Sequence, residues 1–177
     1  MRNLELKARW ADLAHAEEIA RRLGAAPGET LHQVDTYFQT PAGRLKLRQA
    51  NHGGGELIYY ERAEDSAVRW SNYFTAPVAD CAALRDVLTR AYGLRLEVEK
   101  SRVLFLYRGA RIHLDRVEGL GAFLEFEVPV PSDREADSER AQLIMRELMS
   151  GFGLQPGDAI QASYADLLQA KTISPIS

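Results

Sequence analysis

Apolar and polar side chains alternate with a period of two along most of this chain, and short stretches of helical spacing interrupt the alternation. In "NLELKAR", Asn3 to Arg9, the charged Glu5, Lys7 and Arg9 alternate with Leu4, Leu6 and Ala8, so a strand carries them on one face. The period then changes in "DLAHAEEIARRLG". Leu13, Ala16, Ile19, Ala20 and Leu23 fall at helical spacing, with Asp12 placed as N-cap and Gly24 as the stop. Alternation predicts strands over 31–39, 44–50, 56–62 and 67–76, with "TPAG" and "NHGGG" as turns. A helix fits 80–92, from Asp80 to Gly93, and further strands fit 95–107, 110–117 and 122–130. "SDRE", from Ser132, has the form of a capping box and opens a helix running to about Ser150; a short last helix covers 158–170. Residues 1–170 read as a single domain and 171–177, with "TISPIS", as a loose tail. Strands with a few helices make the chain α+β. Eight strands are enough to close an antiparallel β-barrel with a narrow interior.

The strand faces share a pattern. "RLKLR" places Arg44, Lys46 and Arg48 on one side and Leu45 and Leu47 on the other, and "YYER" aligns Tyr60 with Arg62. "EVEKSRV" aligns Lys100 with Arg102, "RIHLD" aligns Arg111, His113 and Asp115, and "FLEFEV" aligns Glu125 with Glu127. Taken singly, each such strand reads as a solvated sheet face. Together they carry more. If helices cover the aliphatic faces, the charged faces turn into the barrel, where buried charges are costly unless something balances them. A divalent cation held by Glu5, Glu125, Glu127 and Asp115 would balance the acids, and hard oxygen donors suit Mg²⁺ or Mn²⁺. A polyphosphate would balance Lys7, Lys46, Arg48, Arg62, Lys100 and Arg102.

Composition narrows the partners. The chain has 177 residues, 46% hydrophobic and 27% charged, which suits one well-buried core. A net charge of −3 argues against nucleic acid or an anionic membrane as main partner. No segment is long and apolar enough to span a bilayer and no signal-like run opens the chain, so a cytoplasmic protein is expected. The lone Cys81 has no internal partner and reads as a small buried apolar residue.

The ordered set "NLELK", "DTYF", "RLKLR", "YYER", "EKSR", "HLD", "FLEFE" and "SYADLL" resembles the CYTH superfamily, the triphosphate tunnel metalloenzymes, from residue 3 to about 168. The resemblance implies an eight-stranded antiparallel tunnel that binds a triphosphate and uses a divalent metal. It includes class IV adenylate cyclases, thiamine triphosphatases, inorganic tripolyphosphatases and RNA triphosphatases, and the look of "NLELKAR" and "DTYF" is closest to the cyclase-labelled branch. Within the family's Glu-x-Glu-x-Lys signature, Glu5 and Lys7 match and Asn3 replaces the first Glu. The resemblance further implies metal at Glu5, Glu125, Glu127 and Asp115, and phosphate at Lys7, Lys46, Arg48, Arg62, Lys100 and Arg102. Lys7, Glu5 and Asp115 are the candidate catalytic residues. It also implies a possible homodimer, and places Ser163 and Tyr164 near the tunnel mouth.

Two activities share this clamp. Water attacking a terminal phosphorus makes a triphosphatase acting on tripolyphosphate, thiamine triphosphate or ATP. A ribose 3′-hydroxyl attacking the α-phosphorus of ATP makes a cyclase that releases pyrophosphate. A tunnel lacking one acid could also bind without turnover, as a sensor. Cyclisation needs a base-stacking mouth, for which Phe38, Tyr60, Trp70 and Tyr73 are available, although strand aromatics are more often packing. "NHGGGEL" lacks the Gly-Lys-Ser/Thr ending of a P-loop. His15, His32, His52 and His113 lack zinc spacing; only His113 shares a face with the site, and a structural or rim role is expected for it.

Overall fold

The computed structural model of the protein describes residues 2–51, 54–62 and 68–173, apart from the side chains of Arg62 and Arg69. The strands are β1 (Arg2–Arg9), β2 (Ala26–Phe38), β3 (Arg44–Ala50), β4 (Gly55–Arg62), β5 (Arg69–Val78), β6 (Leu94–Tyr107), β7 (Ala110–Val117) and β8 (Gly121–Val130). They close into a barrel in the order β1-β5-β4-β3-β2-β6-β7-β8, every neighbouring pair antiparallel. The helices are α1 (Leu13–Arg22), α2 (Cys81–Tyr92), α3 (Glu135–Phe152) and α4 (Tyr164–Ile173). The expected α+β barrel is the observed fold.

Both faces of the barrel wall are buried on the α1/α3 side. The outward Leu4, Leu6 and Ala8 of β1 join Ile112 and Leu114 of β7 and Leu124, Phe126 and Val128 of β8 beneath the two helices. Ile19 of α1 and Ile144, Met145 and Leu148 of α3 complete that core, and truncating Leu148 to Ala would cost about 2–5 kcal/mol. A second cluster seats Cys81 and Leu88 of α2 on Phe38 and Leu47. Cys81 is a buried free thiol, as its sequence context suggested.

Asp12 caps α1 by accepting from the His15 N–H at 3.0 Å, and Asp80 caps α2 by accepting from Ala83 N–H at 2.9 Å. The capping box expected at Ser132 is absent. Helix α3 starts at Glu135 with no side-chain cap, and the Ser132 hydroxyl bonds instead to Asp137 and Arg134. Strand β2 starts five residues earlier than alternation predicted. The extra residues include Pro27 and Gly28, which sit at a register shift between Pro27 and Thr30 that tolerates both.

The last helix also differs from expectation. A 3₁₀ turn at Pro156–Asp158 is followed by an extended stretch in which Ala159 bridges to Ala8 and the Ile160 N–H donates to the Lys7 carbonyl at 2.7 Å. That backbone is bonded to β1, so helix α4 begins only at Tyr164. It runs to Ile173 and takes in the first residues of the expected tail; residues 174–177, like His52 and Gly53 of the glycine-rich turn, lie outside the described residues. Among the described residues, no helix is long and apolar enough to cross a membrane.

Candidate functional site

The inward positions of the strands enclose a cavity of about 410 Å³. Helix α4 does not pack on the outside as the other helices do; it closes one end. Tyr164 and Ala165 bury against Tyr37, Ile58, Tyr60, Val98, Val117 and Phe123, an apolar plug inside the barrel. Asp166 ties the plug to the wall through Arg44 (2.9 Å) and Arg95 (3.0 Å). The Tyr164 ring lies under the Lys7 ammonium, 3.9 Å from Nζ to centroid, and its hydroxyl donates to Asp115 Oδ2 at 2.8 Å.

Strands β2, β3 and β6 form a cationic wall around a single carboxylate. Asp35, 2% exposed, accepts from Lys46 Nζ (2.9 Å), from Arg48 Nε (2.7 Å) and Nη2 (2.9 Å), and from Lys100 Nζ (2.9 Å). The strand order explains the meeting: β2 lies between β3 and β6, so Asp35 meets Lys46 and Arg48 on one side and Lys100, 65 residues away in sequence, on the other. Burial alone would raise the Asp35 pKa, but Arg48, Lys100 and Lys46 outweigh it and hold the carboxyl well below its usual range. One anion cannot satisfy three cations. Burial, together with the charges of Arg48, Arg102 and Lys46, pushes Lys100 down to about 7 despite Asp35.

Strands β1, β7 and β8 form an acidic wall. Glu5 faces Glu127 across the β1/β8 pair, Lys7 faces Glu125, and His113 of β7 faces Glu125. Arg102 reaches over from β6 and bridges Asp115, at 2.7 and 2.6 Å, to Glu125, at 2.7 Å. Arg111 holds Glu127 Oε2 at 2.9 and 2.7 Å, and Lys7 lies 3.7 Å from Glu125 Oε1. Burial opposes ionisation of Glu125 and Glu127. The charge of Lys7 keeps Glu125 well below its usual range all the same, and His113 and Arg111 hold Glu127 at about 2. Both walls are therefore charged at neutral pH, and Arg102 stands where they meet, at the β6/β7 pair.

His113, Glu125 and Glu127 each offer one ligand atom within 4.8 Å of the others, so the wall contains donors of a kind that hold metal ions. Asn3 also lines the cavity. The amide orientation that satisfies both of its ends points the oxygen at Arg111 Nη2 (3.3 Å) and the nitrogen at the Arg2 carbonyl (3.2 Å).

The CYTH domain profile matches residues 1–164. The chain belongs to the CYTH family. Among solved structures, the PH1012 protein of Pyrococcus horikoshii superposes with a TM-score of 0.83 at 23% identity, over 93% of this chain and 98% of that one. A candidate adenylate cyclase of Vibrio parahaemolyticus follows at 0.78 and 21%, covering 94% and 97%. A Hippeastrum protein named as an adenylyl cyclase, with a dominant triphosphatase activity, superposes at 0.68 and 14%, covering 95% of each chain. Identities this low carry the fold alone. Among curated proteins, none matches the sequence.

In this CYTH chain the cavity brings together Glu5, Lys7, Lys46, Arg48, Lys100, Arg102, Glu125 and Glu127. Asp115, fully buried, is not part of the lining; its oxygens are engaged by Arg102 and Tyr164. The side chain of Arg62, at the end of β4, lies outside the described residues. Tyr60 and Tyr73 line the cavity, whereas Phe38 packs against α2 and Trp70 against the outer core. His113, for which a structural or rim role was expected, is buried in the wall, and Tyr164, expected near the mouth, plugs the closed end. Asp35 is the residue the sequence reading missed. Alternation in "HQVDTYF" does place it on one face with Gln33 and Tyr37, both also in the lining, but a lone acid on a strand reads as surface.

Proposed function

We propose that this protein is a divalent-metal-dependent triphosphatase that holds a triphosphate chain between the two walls of its tunnel. The observation that carries the reading is the set of buried Lys46 and Lys100 and half-buried Arg48, which among the described residues share the single carboxylate of Asp35, opposite a wall of carboxylates. Such a set binds a multiply charged phosphate chain better than any neutral ligand, because the cations are already desolvated and held in place. The oxygen donors Glu5, Glu125 and Glu127 fit Mg²⁺ or Mn²⁺, and the partnerless Nδ1 of His113 beside them supports a bound cation there. When bound, that ion offsets phosphate charge and polarises the reacting phosphorus.

The chain's own residues supply the remaining roles. Lys46, Arg48 and Lys100 grip non-bridging oxygens, and Arg102, at the junction of the walls, and Lys7, beside Glu125, offset charge developing on the transferred phosphoryl group. A carboxylate of the acidic wall, Glu5 in this reading, accepts a proton from the attacking water. The new bond joins that oxygen to the terminal phosphorus while the bridging P–O bond breaks, so orthophosphate and a diphosphate leave. Asp115 acts through Arg102, which it orients. Plug residues Tyr164 and Asp166 keep water from the closed end.

Hydrolysis needs only this clamp, and the triphosphatase activity of the Hippeastrum protein, a fold neighbour, makes it the activity to test first. The test is product analysis with tripolyphosphate, ATP or thiamine triphosphate under Mg²⁺ or Mn²⁺. Orthophosphate release is the expected result. Cyclic AMP with pyrophosphate would overturn the reading in favour of a cyclase, and tight binding without product would leave a sensor.

A further inference from the structure

Among the described residues, three buried side-chain atoms have no hydrogen-bond partner: Gln33 Oε1, Thr89 Oγ1 and His113 Nδ1. Thr89 lies on α2, away from the cavity. His113 is 4% exposed and lines the cavity, yet its Nδ1 stands 3.9 Å from Glu125 Oε2 and 3.8 Å from Glu127 Oε1. Those separations exceed a hydrogen bond. Leaving a buried imidazole nitrogen between two carboxylates without bonding to either wastes its donor or acceptor capacity.

The same separations suit a shared ion. A six-coordinate cation with bonds of about 2.1 Å spaces its ligand atoms about 3 to 4.2 Å apart. The strands fix the three donors together: His113 is the direct cross-strand partner of Glu125, and Glu127 is two residues further along the same face of β8. The carboxylates keep lone pairs for a metal while Arg102 and Arg111 occupy others.

Resting on the metal-dependent reading above, we propose that His113 is itself a metal ligand through Nδ1, together with Glu125 and Glu127, and that this nitrogen makes the site select Mn²⁺ over Mg²⁺. Mg²⁺ takes hard oxygen donors in strict octahedral geometry, whereas Mn²⁺ accepts an imidazole nitrogen beside carboxylates and stands above Mg²⁺ in affinity for nitrogen donors. Selection by the protein is then built into a residue that touches the ion, independent of the nucleotide or organic part of any substrate.

The test uses the purified full-length protein with Mn²⁺ alone as probe. Binding is followed by the loss of the free-ion paramagnetic resonance signal, and the ligands by electron spin-echo modulation, which detects a directly bound nitrogen. The expected result is nitrogen modulation in the wild type that is lost in His113→Gln, with Mn²⁺ affinity falling about tenfold or more and Mg²⁺ affinity changing less than about threefold. Should that variant fail to fold, wild-type protein grown with ¹⁵N-histidine answers the same question, because the modulation frequencies must move with the isotope. Bound Mn²⁺ without nitrogen modulation, or modulation unchanged by the substitution or the isotope, would overturn the proposal while leaving a carboxylate-held metal intact. No bound Mn²⁺ in the wild type, either alone or with tripolyphosphate added, would overturn both it and the metal part of the proposed function.

Discussion

The wall built by β2, β3 and β6 and the wall built by β1, β7 and β8 bury comparable numbers of ions, but they neutralise them differently. On the first, Lys46, Arg48 and Lys100 converge on one carboxylate, Asp35, and positive charge is left over. On the second, three of the acids have resident cations: Arg102 for Asp115 and Glu125, Arg111 for Glu127, with Lys7 near Glu125. The cationic wall is thus complete only with an added anion. The acidic wall already holds Arg102, Arg111 and Lys7 against its carboxylates, so a metal there would compete with Arg111 and Lys7, and a triphosphate that draws those cations away would help it. Metal and triphosphate should therefore bind cooperatively, each relieving what opposes the other.

The comparison can be broken most sharply on the acidic wall. Glu127→Gln removes a charge the metal needs and should lower metal-dependent turnover by about 100-fold or more, measured as initial phosphate release. A near-wild-type rate would place the metal elsewhere. On the cationic wall, Asp35→Asn leaves buried Lys46 and Lys100 and half-buried Arg48 without their counter-ion. It should destabilise the ligand-free protein by about 3–5 kcal/mol, and tripolyphosphate should restore much of the loss in a thermal melt. An unchanged melting temperature would show that Asp35 does not organise the wall. Lys100→Gln removes one of the three cations yet leaves Asp35 two partners. Tripolyphosphate affinity should fall about tenfold with the fold intact, read by calorimetry and circular dichroism. The smallest effect belongs to Asn3→Glu. Its new carboxylate would meet Arg111, loosening that residue's hold on Glu127, and metal affinity should rise by a few-fold. A fall would show that Asn3 serves the site through its amide.

The legible part of this molecule is the part set by near neighbours. Period-two faces such as "RLKLR" and "FLEFEV", and the Asp12 cap, are determined by a few residues and read directly from the chain. The inward turn of the charged faces could also be inferred, because aliphatic faces need helices to cover them. What could not be read depends on which strands become neighbours. Asp35 is unremarkable in "HQVDTYF" until closure sets β2 between Lys46 and Arg48 on one side and Lys100 on the other. Asp115 was legible as inward, but its pairing with Arg102 was not, since only the β6/β7 register brings the two face to face. The stretch before α4 read as helix because nothing local reveals that its backbone bonds to β1. His113 looked marginal for the same reason: its significance comes from Glu125, twelve residues later and directly across the sheet.

The central claim, that the cationic wall is completed by a triphosphate, is tested most directly by calorimetric titration of inorganic tripolyphosphate into the protein with Mg²⁺ or Mn²⁺ present. The titration is run in buffers of different ionisation enthalpy. Lys100 is held at about 7 in the free protein, so at pH 8 it is largely neutral. A bound anion favours its ammonium form and raises that value, so binding at pH 8 should take up close to one proton per site, and at pH 5.5, where Lys100 is already charged, none from this group. One-to-one binding with proton uptake that fades as the pH falls is the predicted result. Absence of binding, or binding that ignores both buffer and pH, would contradict the account.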